Sequence, residues 1–375
     1  MIAKHPTEGS PDPSCSFILY WSYHPILNKR INIPHLCTEK GSGKGLSYDR
    51  PTVSVIVPIF NGARYIDDCV GFLKAQTFRD FETLLCVDVK STDGSLEKAR
   101  EAAPSLPRCR VVEQTDDMHL AGARNVGLRN ATGKFIWFYD VDDVPVPELL
   151  EECVRVQTEN RACMVCFNAM NVGPDGVVRE KRGREYPVLN MTCGEAFSSW
   201  VPMKIPVTAW SKFVSREVLL DNGLFFEDTM AEDISFTYGI IQCCDRISVY
   251  LRPLYGYRQT RGSITRTKEN MDRRGRDEIA AYNGVDSMKM DPEVREKVLR
   301  NNAYIKMRSS GHMGKEAFLE FAKGPEFKDL YDRYLKGHFE GWGFYHFPRV
   351  YYAGIRFYLK YLYKRNGSTY MRTKL

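Results

Sequence analysis

Between residues 51 and 140 the chain alternates apolar runs rich in β-branched residues with segments of helical spacing, which limits the fold more than any other feature. "TVSVIVPIF" (52–60) reads as a strand and "ARYIDDCVGFLKAQ" (63–76) as a helix. "ETLLCVD" (82–88) is again a strand, and "SLEKAREAA" (95–103) a helix with Ser91 or Asp93 available as its cap. "CRVVE", "LAGARNVGLRNA" and "KFIWFYD" continue the series as strand, helix and strand. Strands separated by such helices predict a mostly parallel sheet. The strands are apolar throughout, as they are when helices cover both faces of the sheet. The expected fold class is therefore α/β.

The alternation runs to about residue 265 and is flanked by two different regions. Residues 1–50 are irregular, with prolines, scattered aromatics and the flexible "TEKGSGKGLS". A phosphate loop is excluded there, because Gly45 follows Lys44 where Ser or Thr is required and Thr38 stands in place of the first glycine. From 266 to 375 the strand signal ends, and "DRRGRDEIAAYNGV", "DPEVREKVLRNNAYIKMR" and "KEAFLEFAKG" have helical spacing. The expected organisation is an irregular extension over 1–50, an α/β domain over 51–265 and a helical region over 266–375.

Composition adds limits. With 375 residues, 43% apolar and 27% charged, the chain suits one large folded domain with appendages. Eleven cysteines without framework spacing point to a reducing, cytoplasmic setting, and the CxxC of Cys163 and Cys166 lies in an apolar run that reads as buried strand thiols. No signal peptide and no run of ~20 apolar residues is visible. The net charge of +6 is unevenly placed: no acid follows Glu340, and seven basic residues lie between Arg349 and Lys374. In a helical projection of "RVYYAGIRFYLKYLYKR", Arg349, Arg356, Lys360 and Lys364 share one face beside Ile355, Leu359, Leu362 and tyrosines. Such a helix over 349–365 suits a peripheral membrane contact, with packing on the α/β domain as the competing reading. No recognisable nucleic-acid module accompanies these charges, so no nucleic-acid partner is expected.

In open α/β sheets, ligands bind beyond the carboxyl ends of the strands. Read in order, those ends carry Pro58, Phe60 and Asn61; then Asp88; then Asp140, Asp142 and Asp143, with Arg124 near the start of the intervening helix. An aromatic and a carboxylate can hold a base, an arginine can neutralise phosphate, and two aspartates can hold a hard divalent cation. Together they suit a nucleoside diphosphate and its metal. An Asp-x-Asp pair alone is equally a helix cap for "PELLEECVRV"; its place after the fourth apolar strand distinguishes it.

The ordered segments "VSVIVPIFNGARYIDDCVGFLKAQTFRDFETLLCVDVKSTDGS", "AGARNVGLRNATGKFIWFYDVDD", "AWSKFVSREVL" and "MAEDISF" resemble the family 2 glycosyltransferases. The resemblance covers roughly residues 52–265 and implies a GT-A fold and an inverting, nucleotide-sugar-dependent enzyme. It implies that Pro58, Phe60 and Asn61 line the nucleoside site and that Asp88 accepts from the base, usually uracil. It implies further that Arg124 approaches the nucleotide, that Asp140 and Asp142 contact ribose and a Mn2+ or Mg2+ ion, that Asp233 is the catalytic base and that Arg258 sits over the leaving diphosphate. The second-strand motif departs from the family's common Asp-Asp-Gly-Ser: here it is Asp88-Val89-Lys90-Ser91, which puts a ligand role at position 89 in doubt.

The expected reaction moves a sugar from a nucleotide-sugar donor, a UDP-sugar, to a hydroxyl of a glycan or lipid-linked acceptor in cell-surface polysaccharide synthesis, in the cytoplasm or at the inner face of the cell membrane. The alternative is a catalytically silent scaffold or sensor that binds nucleotide sugar, which only the changed loop favours. A dinucleotide-dependent oxidoreductase is excluded by the lack of a GxGxxG after the first strand. Glu232 reads as an acceptor contact or a structural acid, and Trp210 and Lys212 as acceptor contacts or core.

Overall fold

The structure, a computed structural model, describes residues 50–172, 185–199, 205–258 and 268–366. The expected extension therefore lies outside the described residues except for Arg50. The α/β part opens with β1 (Val53–Ile59), α1 (Ile66–Ala75), β2 (Phe81–Asp88), α2 (Ser95–Ala102) and β3 (Cys109–Gln114). It continues with α3 (His119–Asn130), β4 (Phe135–Phe138), the short β5 (Val144–Pro145), α4 (Leu149–Asn160) and β6 (Met164–Val172). Then follow β7 (Val188–Met191), α5 (Cys193–Ser199), β8 (Lys212–Ser215), α6 (Arg216–Asp221), α7 (Glu232–Gln242) and β9 (Ile247–Arg258). The remainder is helical: α8 (Lys268–Ser287), α9 (Pro292–Ser309), α10 (Lys315–Lys323), α11 (Pro325–Leu330), α12 (Phe339–His346) and α13 (Pro348–Asn366).

These strands form one sheet in the order β3-β2-β1-β4-β8-β6-β9-β5, with β7 on β9. The run from β3 to β4 is parallel, so its carboxyl ends open on one edge. Beyond β4 the sheet is mixed: β8 is antiparallel to both neighbours, while β6 and β9 form a long parallel ladder. Most paired residues thus lie in parallel ladders, as the alternation of the sequence predicts.

Apolar side chains on both faces of each strand divide between two cores. Ile56, Leu84, Cys86, Ile136 and Phe138 pack with α3, α5 and α7 on one side, a cluster that also takes in Tyr282 and Val285 of α8 and Val298 and Ile305 of α9. Val55, Val57, Leu85, Val87 and Trp137 pack with α1 and α4 on the other. A separate cluster built on Phe318, Phe327 and Phe344 joins the last helices.

Two local departures have physical causes. The expected first helix begins as a single tight turn over Ala63–Tyr65, because the chain must leave β1 through Asn61, whose φ is +48°. The fourth strand ends at Phe138, short of Asp140, where the peptide turns to present successive carboxylates in different directions. Cys166 is buried in β6 and Cys163 half-buried just before it, both as free thiols.

Candidate active site

The loop after β1 and the loop after β2 are stitched together. Asn61 Oδ1 accepts from the Thr92 backbone N–H at 2.8 Å, and the Asn61 N–H donates to Ser91 Oγ at 3.2 Å. Asp93 accepts from the N–H groups of Ala63 and Ser95 at 2.9 and 3.1 Å; the N-cap of α2 is Gly94 (φ +80°), and Asp93, one residue before it, holds the first helical N–H. Asn61 thus shapes the rim through its own amide. Asp88, buried at the end of β2, accepts from the Lys90 N–H at 2.8 Å. Pro58 is buried within β1 opposite Cys86. Phe60, Val89 and Leu120 are three of the few large apolar side chains left exposed among the described residues, and they lie after β1, after β2 and at the start of α3.

The three acids after β4 have separate partners. Asp140, a quarter exposed, accepts from Arg124 Nη2 at 3.1 Å. Asp143 is fully buried and accepts from the Arg258 backbone N–H at 2.8 Å; burial, then the charges of Asp142 and Asp140, push its carboxyl well above the usual range. Asp142 remains half-buried and is pushed up to about 6 by burial and by Asp140, with Arg258 and Arg64 opposing. Arg258 itself forks onto Asp68 Oδ2, with both Nη atoms at 3.2 Å, and lies 5.8 Å from the Tyr65 ring. It therefore stands beside the carboxylates that follow β4.

Arg124, expected near the nucleotide, is an internal ion-pair partner in the structure. Its guanidinium is buried, and it donates from Nη1 to Glu232 Oε1 at 2.6 Å and to Asp233 Oδ1 at 3.0 Å while holding Asp140 from Nη2. The sequence distance between these partners is why a local reading did not foresee the contacts with Glu232 and Asp233. Three carboxylates raise its pKa still higher, so it is a permanent internal cation. Burial raises Glu232 and Asp233 above the usual carboxylate range; the Arg124 charge opposes this in both, and Lys212 assists at Asp233. The first turn of α7 adds its own partial positive charge to both acids.

Lys212 and Trp210 belong to the core. Lys212 Nζ, fully buried, donates to the carbonyls of Pro206 and Thr208 at 2.8 and 2.7 Å, and burial lowers its pKa to about 8. Trp210 stacks on Tyr255 at 4.5 Å, and its carbonyl accepts from Trp137 Nε1. Arg64 and Asp68 were not singled out in the sequence; their signal is their place one turn beyond the first strand end.

Asp140 and Asp142 suit a divalent cation in part. Their donors are oxygens, and burial and the charge of Asp140 raise Asp142 despite the backbone N–H it accepts from, so a cation there would relieve both. Among the described residues no group of three or more His, Cys, Asp or Glu is arranged to hold a metal. Such a pair fits a cation that takes the rest of its shell from phosphate oxygens and water, as Mg2+ commonly does.

Residues 54–220 match the model of Glycosyl transferase family 2. The glycosyltransferase GlyG of Streptococcus pneumoniae is 30% identical over 231 residues, covering 58% of this chain and 73% of that protein. The cholesterol galactosyltransferase of Borreliella burgdorferi is 28% identical over 228 residues, and the match spans 57% of this chain and 62% of that one. Among solved structures, the mannosyltransferase PcManGT from Pyrobaculum calidifontis, in complex with GDP-Man and Mn2+, superposes with a TM-score of 0.50 at 18% identity over 83% of this chain and 88% of that one. That likeness shows the GT-A fold. On the family model and the extent of the match to GlyG, the chain belongs to glycosyl transferase family 2.

Proposed function

We propose that the chain is an inverting glycosyltransferase that moves a sugar from a nucleoside diphosphate donor, a UDP-sugar, to a hydroxyl of a glycan or lipid-linked acceptor. The observation that carries this reading is the buried Arg124, which ties the carboxylate beyond β4 to the two acids opening α7. Donor-side and acceptor-side acids then belong to one site.

In this reading the nucleoside rests on the strand-end rim, where Phe60 and the exposed Val89 and Leu120 offer apolar contact and Asp88 accepts from the base. Pro58 and Asn61 shape that rim. Arg258 and Arg64 face the charge that grows on the leaving diphosphate, a role in which fixed cations stabilise the transition state by several kcal/mol. A Mn2+ or Mg2+ ion bound by Asp142 and Asp140 would supply Lewis-acid neutralisation of the same charge. The ion in PcManGT is a precedent in a structural relative. Asp233 takes the proton of the attacking hydroxyl. Its raised pKa makes it a stronger base than an exposed aspartate, while Arg124 and Lys212 keep it available in the ionised form. Attack opposite the leaving group inverts the anomeric centre and needs no covalent sugar intermediate.

The catalytic unit in this reading spans 51–265. An acceptor on a lipid carrier would set the reaction at the inner face of the cell membrane, in cell-surface polysaccharide synthesis. The test is a panel of UDP- and GDP-sugars with Mn2+, followed by release of free nucleotide. Slow hydrolysis of a UDP-sugar that Asp142→Ala abolishes is expected. Tight binding without turnover, with or without acceptors, would favour the silent sensor.

A further inference from the structure

Nine large hydrophobic side chains are notably exposed among the described residues, and six of them fall within a single stretch: Phe339, Trp342, Phe347, Val350, Phe357 and Tyr358. The other three line the strand-end rim. Exposed apolar residues scattered singly need no explanation, but a contiguous series does. Phe339 is 87% exposed, Phe357 76% and Val350 70%, values that leave nearly the whole side chain in water.

The series is organised by two helices. In α13, Val350, Gly354, Phe357 and Tyr358 recur at i, i+4, i+7 and i+8, one stripe of a helix. The opposite face is already committed. Ile355 is buried and lies against Gly311, Tyr351 donates to Glu340 at 2.7 Å, and Tyr352 donates to the Met313 carbonyl at 3.3 Å. Glu340, in α12, also accepts from Tyr304 and Arg308 of α9, so the pair of helices is held in a fixed attitude. Phe339 and Trp342 come from α12, and Phe347 from the junction. An outward apolar stripe on a helix whose other face already packs on the fold through Ile355, Tyr351 and Tyr352 is a second hydrophobic surface, not a misplaced core.

We infer that the outward face of α12 and α13 docks on an anionic lipid bilayer. Charge chooses this occupant over another protein chain. No acid follows Glu340 in the sequence, while seven basic residues lie from Arg349 to Lys374. Along the chain the stripe is therefore accompanied by basic residues and no acid after Glu340, the combination that binds the interface of anionic membranes. Trp, Tyr and Phe are the side chains suited to the headgroup boundary. The inserting residues begin at Phe339, earlier than the 349–365 segment that the sequence alone suggested. Arg356, expected on the basic face, is instead half-buried, 5.9 Å from the Tyr352 ring. No helix of the described residues is long and apolar enough to cross a membrane, so the contact is peripheral.

The test is sedimentation of the full chain with vesicles of phosphatidylcholine alone and of phosphatidylcholine mixed with phosphatidylglycerol. The expected result is pelleting with the anionic vesicles only, weakened by salt. The Val350→Ser/Phe357→Ser double variant should lower the partition coefficient about tenfold at an unchanged thermal midpoint. Trp342 emission, taken as the difference between the unsubstituted chain and Trp342→Phe, should move to shorter wavelength on binding. Three results would overturn the inference: no pelleting with either vesicle, pelleting that the double variant leaves unchanged, or dimers in light scattering that the same variant abolishes while vesicles have no effect. None of these readouts depends on sugar transfer, so the inference and the catalytic reading fail separately.

Discussion

At the scale of single residues, Arg124 organises the site. It is the buried counter-charge for three acids, and removing one partner of a buried pair typically costs about 3–5 kcal/mol. Arg124→Met should lose stability of that order in urea unfolding, and the loss should depend on pH. The folded-state pKa values of Glu232 and Asp233 already lie above the ordinary carboxylate value, and without Arg124 they rise further. The folded state then holds protons that the unfolded state releases, so stability falls as pH rises above the ordinary carboxylate range. Arg124→Met should therefore be more damaged at pH 8 than at pH 5. The two acids can be separated by kinetics: Asp233→Asn should lower kcat by about 10²–10⁴, the usual worth of a general base, while Glu232→Gln should retain most turnover. Equal losses would reassign the base. Lys212→Met removes a cation that favours ionised Asp233, so the acid limb of the kcat/KM profile should move to higher pH.

At the scale of elements, α3 presses unusually close to the sheet. A Cβ at Gly127 would stand 2.3 Å from Ile56 Cγ2 and 2.8 Å from Cys86 Sγ, both buried side chains of the strands beneath. Gly127→Ala must push α3 outward, and overpacking of this kind costs about 1–3 kcal/mol. The same helix carries Arg124, so the variant should lose activity at temperatures where it is still folded by circular dichroism; full activity there would show that the helix absorbs the methyl without moving. The loop after β2 invites a second test. Asp93 fixes the Ala63 and Ser95 backbone N–H groups, and Asp93→Ala should raise KM for the donor more than it lowers kcat.

For the whole molecule, the last helices are not an appendage in energetic terms. Tyr282, Val285, Val298 and Ile305 of α8 and α9 are buried in the same cluster as α5 and α7. Burying each such side chain is worth about 1.5–3 kcal/mol. Their sum is comparable with the entire stability of a typical domain, about 5–15 kcal/mol. A chain ending at residue 265 is accordingly expected to bind a dye for exposed apolar surface and to lack a cooperative melt. A sharp transition in that fragment would show that 51–265 folds alone.

The sequence by itself determined the alternating elements, the parallel ladder from β3 to β4 and the edge on which Phe60, Asp88, Asp140 and Asp142 gather. Those features follow from local periodicity and from the rule that parallel strands end together. Long-range packing decided the rest. The sequence could not tell that Arg124 would turn inward to acids 108 and 109 residues away, or that Asp143 would be fully buried on the Arg258 backbone while Asp142 stayed half-buried. It gave no sign either that β8 would run antiparallel to its neighbours. Each of these outcomes depends on which groups meet across the sheet and on how much water is left between them, and residue order alone carries no record of either.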